Sequence, residues 1–222
     1  MTSIDCWDGR RFEFEPSSTA LLVIDMQRDF LDSDGMAAVG GEDIAPLRAV
    51  MPTVMSLAEA GRAAGLRIVH TREGYASDLS DVAAAKADRG SVGEVGPLGR
   101  FLVRGEPGHD FCAGFEPAPG ELVIDKAGFS AFFRTTFEDD LRNSGISHLV
   151  ITGITTQCCV HSTLRDAVDR GFYCLTVADA CAAFDPTVHD AVLKVIQAED
   201  HLFGWVAEAA DVLVGFGSAQ AN

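Results

Sequence analysis

The stretch HLVITGITTQCCVHSTLRDAVDRG, residues 148–171, decides the fold. It opens on a short, largely apolar and β-branched run, the mark of a strand buried on both faces of a parallel sheet. From Cys159 onward it reads as a helix, and Gly171 follows where a left-handed residue would end that helix before the next strand. The same alternation runs outward in both directions. Strands are expected at 20–25, 66–71, 121–125, 148–152, 174–177 and 211–214, and helices at 44–64, 136–144, 159–170 and 186–198. Gly65 and Gly145 close the first two helices as Gly171 closes the third. Alternating strands and helices of this kind build an α/β fold, here a doubly wound sheet of six parallel strands flanked by helices.

With 222 residues, 47% of them hydrophobic, the chain can bury one sizeable core, and a single domain over 1–222 is expected. Residues 72–120 break the rhythm: they are rich in glycine and lack periodicity, and a loop of this length inside a domain is usually functional or disordered. Residues 216–222 read as a frayed tail. A formal charge of −16 repels nucleic acid and anionic membranes, so neither is an expected partner. The apolar runs are far shorter than the roughly 20 residues of a membrane span. The six cysteines show neither a disulfide framework nor a paired zinc motif, which fits reduced thiols in a cytoplasmic protein.

Ligands of an open parallel sheet bind beyond the carboxyl ends of its strands. Three reactive side chains fall at such ends. Asp25 closes the first strand, Lys126 follows the third, and Cys159 opens the helix after the fourth. A cysteine at a helix N-terminus near a lysine is favoured as thiolate, which makes Cys159 the candidate nucleophile. Asp25 is the candidate base, able to take the thiol proton and return it to a leaving amine, while Lys126 tunes both groups. The backbone NH groups of Thr155 and Cys159 are candidates for an oxyanion hole. Each residue alone has a duller reading as cap, solvated charge or packing, and only their joint placement argues for chemistry.

At these residues the sequence resembles the isochorismatase-like cysteine hydrolase superfamily. The resemblance rests on LLVIDMQRDF (21–30), DKAGFSAF (125–132) and GITTQCCV (153–160), in that order, and spans most of the chain. It implies a three-layer, Rossmann-like fold, the catalytic set Asp25, Lys126 and Cys159, and a non-proline cis peptide just before Thr155 that aims its NH into the oxyanion hole. It also implies an amidohydrolase that needs no cofactor and passes through a thioester. Members commonly form dimers or tetramers. Cys158 falls where the family varies, and His161 should turn away from Cys159 on a helix. The histidine pair with which many nicotinamidases hold a metal ion has no counterpart, since residues 26–60 contain no histidine.

TREGY (71–75), the segment 86–90, GPLGR (96–100), VRGEPG (103–108), DRG (169–171) and Gly204-Trp205 look most like the biuret and triuret hydrolase branch. That branch implies a small, linear, neutral ureide as substrate, with Phe30, Phe129, Gln157 and Glu199 as candidate substrate-binding residues. Phe129 stands where a second lysine is often found and Glu199 where a glutamine grips the substrate amide, so both would bear on selectivity. Ureidoacrylate or N-carbamoyl amide hydrolysis, cleavage of a vinyl ether as by isochorismatase itself, and a non-catalytic interaction module are the alternatives.

Overall fold

The computed structural model describes residues 2–220. A six-stranded sheet, parallel throughout, forms its middle layer. In chain order the elements are a hairpin of β1 (Thr2–Asp5) and β2 (Arg11–Phe14), then β3 (Thr19–Ile24) and the helices α1 (Arg28–Leu31), α2 (Met36–Val39), α3 (Ala45–Ala49) and α4 (Met51–Ala63). After β4 (Arg67–Glu73) comes the glycine-rich segment, which holds α5 (Ala84–Ala87) and a small hairpin of β5 (Val95–Gly96) and β6 (Gly99–Arg100). The chain continues through β7 (Leu122–Lys126), α6 (Phe137–Asn143), β8 (His148–Ile154), α7 (His161–Asp169), β9 (Tyr173–Ala182), α8 (Pro186–His201), β10 (Trp205–Ala207) and α9 (Ala209–Gln220).

The strand order β10-β9-β8-β3-β4-β7 explains where a ligand can sit. From β3 the chain builds outward through β4 to β7, then returns to the other side of β3 and builds outward again through β8, β9 and β10. The order therefore reverses between β3 and β8, and the crevice of a doubly wound sheet opens at that point. Side chains alternate across each strand, so the two faces of β3 feed two cores. Leu21 and Val23 pack with Leu47, Val54, Leu57 and Phe216 from α3, α4 and α9. Ala20, Leu22 and Ile24 pack with Leu141, Leu164 and Ile196 from α6, α7 and α8. Gly153, at a φ of 110°, lies so close to β3 that a Cβ there would stand 2.2 Å from the carbonyl oxygen of Ile24. Only glycine lets β8 approach β3 this closely beside Asp25.

Three sequence expectations are corrected. The sixth strand is Trp205–Ala207, not 211–214, which lies in α9. The Asp-Val-Leu-Val run looks like a strand by composition, yet burial of Val212 and Phe216, four residues apart, with Val214 70% exposed, is the pattern of a helix. Residue 216 is accordingly no tail: Phe216 is fully buried, edge-on to Phe14 with ring centroids 5.9 Å apart. The run 44–64 forms two helices, because Pro52 has no NH to continue the ladder and instead sits in the first turn of α4. The N-terminal hairpin, whose Phe12 and Phe14 face the core while Arg11 and Glu13 face out, was not among the expected strands. Among the described residues no helix is long and apolar enough to cross a membrane.

Phe216→Ala should cost about 3–5 kcal/mol in urea unfolding, the loss for a buried phenylalanine. A change below about 0.5 kcal/mol, the scale of a surface substitution, would instead fit a loose terminus.

Candidate active site

Asp25, the first residue past β3, takes a φ of 52°, a left-handed turn that aspartate tolerates. The turn is pinned by the NH of Gln27 donating to the Asp25 carbonyl at 2.7 Å and by the Asp25 NH donating to the Thr71 carbonyl at 3.2 Å. The carboxylate then points along the crevice. Its Oδ1 accepts the Thr71 hydroxyl at 2.5 Å, and its Oδ2 lies 2.7 Å from Lys126 Nζ. Lys126, the last residue of β7, is wholly buried and also donates to the Gly128 carbonyl at 3.1 Å. From the other side of the reversal comes Cys159, 4% exposed, in a wide turn over Thr156–Val160 that leads into α7. The peptide between Ile154 and Thr155 is cis.

A second carboxylate completes the cluster. Glu73 ends β4, is buried, and its Oε2 accepts the Cys159 thiol at 3.3 Å while standing 3.9 Å from Lys126 Nζ. Its Oε1 accepts the Tyr75 hydroxyl at 2.9 Å and pairs with Lys86, whose ammonium lies over the rings of Tyr75 and Phe129 at 4.9 and 4.1 Å. Gln27 fixes the backbone of Glu73 in both directions, accepting from its NH at 2.8 Å and donating to its carbonyl at 3.0 Å. The same amide donates to the His109 carbonyl at 3.0 Å and so ties the glycine-rich segment to the site.

These charges set the protonation of the cluster. Burial opposes the charged form of Lys126, but the surrounding Asp25, Cys159 and Glu73 override it and hold its pKa above the ordinary lysine value. Burial likewise opposes ionisation of Glu73, and Lys126 and Lys86 overcome it, holding that carboxyl below its ordinary value. The Cys159 thiol is pushed well up by the neighbouring Cys158 thiol, by burial and by Asp25 and Glu73, against the pull of Lys126. The expectation of a resting thiolate is thus corrected. Sequence reasoning placed Lys126 and Asp25 near the sulfur, whereas the structure adds Glu73, the Cys158 thiol and burial, all of which act against the thiolate. Ligating atoms of Asp25, Glu73 and Cys159 lie within 4.8 Å of one another, as a metal site would require, but the cation among them is the Lys126 ammonium.

Above the sulfur opens a cavity of about 280 Å³. Asp25, Cys159, Thr155, Phe30, Phe129 and Gln157 all line it, as does Cys158. The glycine-rich segment contributes Ser91, Val92, Phe101 and Leu102, and is anchored by the Leu102 NH donating to the buried Asp29 carboxylate at 2.9 Å. Glu199 is not among the lining residues. It is exposed near the end of α8, where helical geometry is lost over 198–200. His161 is also outside the lining and stacks edge-on with Phe203. Glu73 and Lys86 were not singled out from the sequence. The signal available for Glu73 was its position at the end of a strand beside Asp25, but the partner that holds it lies thirteen residues on, in a segment without periodicity.

Residues 19–211 match the isochorismatase domain family. The chain is 31% identical to the ureidoacrylate amidohydrolase RutB of Serratia proteamaculans over 204 residues, covering 88% of this chain and 81% of that protein. With the ureidoacrylate amidohydrolase RutB of Methylorubrum extorquens the identity is 30% over 218 residues, covering 94% and 87%. Among solved structures, a cysteine hydrolase from Pseudomonas syringae pv. phaseolicola superposes with a TM-score of 0.84 at 25% identity, covering 94% of this chain and 97% of that one. An isochorismatase family protein from Desulfovibrio vulgaris follows with a TM-score of 0.74 at 28% identity, covering 92% and 99%. The chain belongs to the isochorismatase family of hydrolases.

The electrostatics can be read directly from alkylation of Cys159 by iodoacetamide as a function of pH. Asp25→Asn removes a negative charge from beside the thiol and should move the alkylation midpoint to lower pH. Lys126→Met removes the one cation that favours thiolate and should move it to higher pH, each by about one unit or more.

Proposed function

We propose that this isochorismatase-family hydrolase is an amidohydrolase that cleaves a carbon-nitrogen bond of a small, linear, uncharged ureide of the biuret or triuret kind. The observation that carries the reading is the charge balance of the cavity. Lys86 in its wall faces Glu73, and the fully buried Lys126 behind that wall faces Asp25. Among the described lining residues none offers a further positive charge to a substrate carboxylate. The remaining wall is largely aromatic and aliphatic, with Phe30, Phe101, Phe129 and Phe184 facing inward. A volume near 280 Å³ suits a ligand of few atoms.

The reaction follows from the placement of the groups. Substrate enters with its carbonyl carbon over Cys159 Sγ and its oxygen toward the NH groups of Thr155 and Cys159, at the start of the helical segment where the macrodipole favours an oxyanion. Asp25 takes the thiol proton as the sulfur attacks, and Lys126 stabilises the charge that passes between them. As the tetrahedral intermediate collapses, Asp25 protonates the departing nitrogen, which leaves as ammonia. Asp25, again ionised, then draws a proton from the water that attacks the thioester and returns it to Cys159 Sγ as the carbon-sulfur bond breaks, which frees the acid product and restores the enzyme. Phe30, Phe129 and Gln157 shape the cavity around the substrate.

Ureidoacrylate is the second reading, favoured by the activity of the relatives at 30–31% identity. It carries a carboxylate, for which the paired lysines leave no cation. Incubating the purified protein with biuret, triuret, ureidoacrylate and an N-carbamoyl amide, and assaying ammonia, separates the readings. The expected result is turnover of the neutral ureides at a kcat/KM at least tenfold above that on ureidoacrylate. A preference for ureidoacrylate overturns the first reading in favour of the second, and silence on every amide overturns both. Cys159→Ser should lower kcat by about 1,000-fold or more on whichever substrate is used, as loss of a nucleophile does.

A further inference from the structure

Acyl transfer at Cys159 employs Asp25 and Lys126 and leaves Glu73 over, although Glu73 is the group that touches the sulfur. A buried carboxylate is costly to maintain unless charge and hydrogen bonds compensate it. Here one oxygen, Oε1, is fully engaged by the Tyr75 hydroxyl and the Lys86 ammonium. The other, Oε2, faces the cavity and accepts from the thiol at 3.3 Å. That donor disappears when the reaction begins: the thiol proton passes to Asp25, the sulfur-carbon bond forms, and the carbon-nitrogen bond breaks as Asp25 returns the proton to the departing nitrogen. Oε2 is then a buried, ionised acceptor in need of a new donor.

Two carboxylates, Asp25 and Glu73, reach the neighbourhood of the sulfur, with the ligating atoms of all three within 4.8 Å of one another. A carbonyl carbon seated on that sulfur has two substituents, one expelled and one retained. Asp25 serves the nitrogen that is expelled, which leaves Glu73 as the carboxylate free to meet the substituent that stays. We propose that Glu73, held in place by Lys86 and Gln27, is a specificity-determining residue that accepts a hydrogen bond from the retained substrate nitrogen. The site thereby selects carbonyl groups flanked by nitrogen on both sides and rejects simple carboxamides. A carboxamide would set carbon against Oε2 and leave that buried acceptor without a donor, the kind of mismatch that gives large discrimination. The inference rests on the ureide reading, which it sharpens to one residue and one substrate atom.

Glu73 must be ionised for this role. The groups that face it are Lys86 from α5, Lys126 from β7, Tyr75 just beyond its own strand and the Cys159 thiol, with Asp25 on the far side of Lys126. Of these, Lys86 can be altered without touching the sulfur or Lys126.

The test compares each ureide that the wild-type protein hydrolyses with the isostere in which the retained NH is replaced by CH2, beginning with biuret against malonamide. The wild type should prefer biuret by 100-fold or more in kcat/KM. Glu73→Gln should lower kcat/KM on biuret by about 100-fold, chiefly through KM, and reduce the preference over malonamide to below tenfold. As a second variant, Lys86→Met should move the acid limb of the biuret pH profile to higher pH by about one unit, and Lys86→Arg should restore it. A merely structural role for either residue would depress activity at every pH without moving the limb. Equal turnover of biuret and malonamide by the wild type, or an equal loss on both in Glu73→Gln, overturns the inference while leaving the amidohydrolase reading intact. Absence of turnover on all ureides overturns that reading and the inference with it.

Discussion

A lysine with no exposed surface governs the rest of this structure. Its ammonium cannot be left uncompensated in the interior, so the chain must bring carboxylates to it, and it does so from two neighbouring strands. Asp25 arrives from β3 at 2.7 Å and Glu73 from β4 at 3.9 Å. Because β7, which carries Lys126, and β4, which carries Glu73, are adjacent in the sheet, and β3 is next, the three charges end on one edge of the layer. The reversal of strand order then places Cys159, from beyond β8, on the open side of the same cluster. The site is a consequence of the sheet topology.

Two carboxylates and two lysines surround the sulfur, Lys86 from the cavity wall and Lys126 from behind it. This arrangement pushes the Cys159 thiol pKa up and leaves each lysine paired with a carboxylate. It also links the glycine-rich segment to the chemistry. Lys86 reaches Glu73 from α5, the Gln27 amide joins Glu73 to His109, and Asp29 holds Leu102 through its NH. The segment that looked irregular is therefore fixed at several points to buried polar groups, each of which would otherwise be unsatisfied.

The alternation of strands and helices was legible because fully buried parallel strands leave continuous apolar runs, and the three strand-end residues could be picked out because the crevice of such a sheet lies at its carboxyl end. What failed to show had physical causes. β10 is three residues long and too short to make a pattern, while the Asp-Val-Leu-Val run at 211–214 in α9 mimics a strand. Glu73 is a polar residue at the end of a strand and reads as solvated until its distant partners are known. Glu199 was matched by its place in sequence to a substrate-gripping glutamine, but α8 unwinds at 198–200 and leaves it facing solvent. The protonation of Cys159 depends on the sum of charges around it, which no motif spacing conveys.

The central claim is that Cys159, and not its neighbour Cys158, attacks a ureide carbonyl and carries the acyl group. Acid quenching of a turnover mixture, followed by proteolysis under acid conditions and mass spectrometry with fragmentation across the Cys158–Cys159 bond, tests it most directly. The account predicts an added mass equal to the substrate less ammonia, located on Cys159 and absent from Cys159→Ala. An adduct on Cys158, or steady-state turnover that persists in Cys159→Ala, would contradict it.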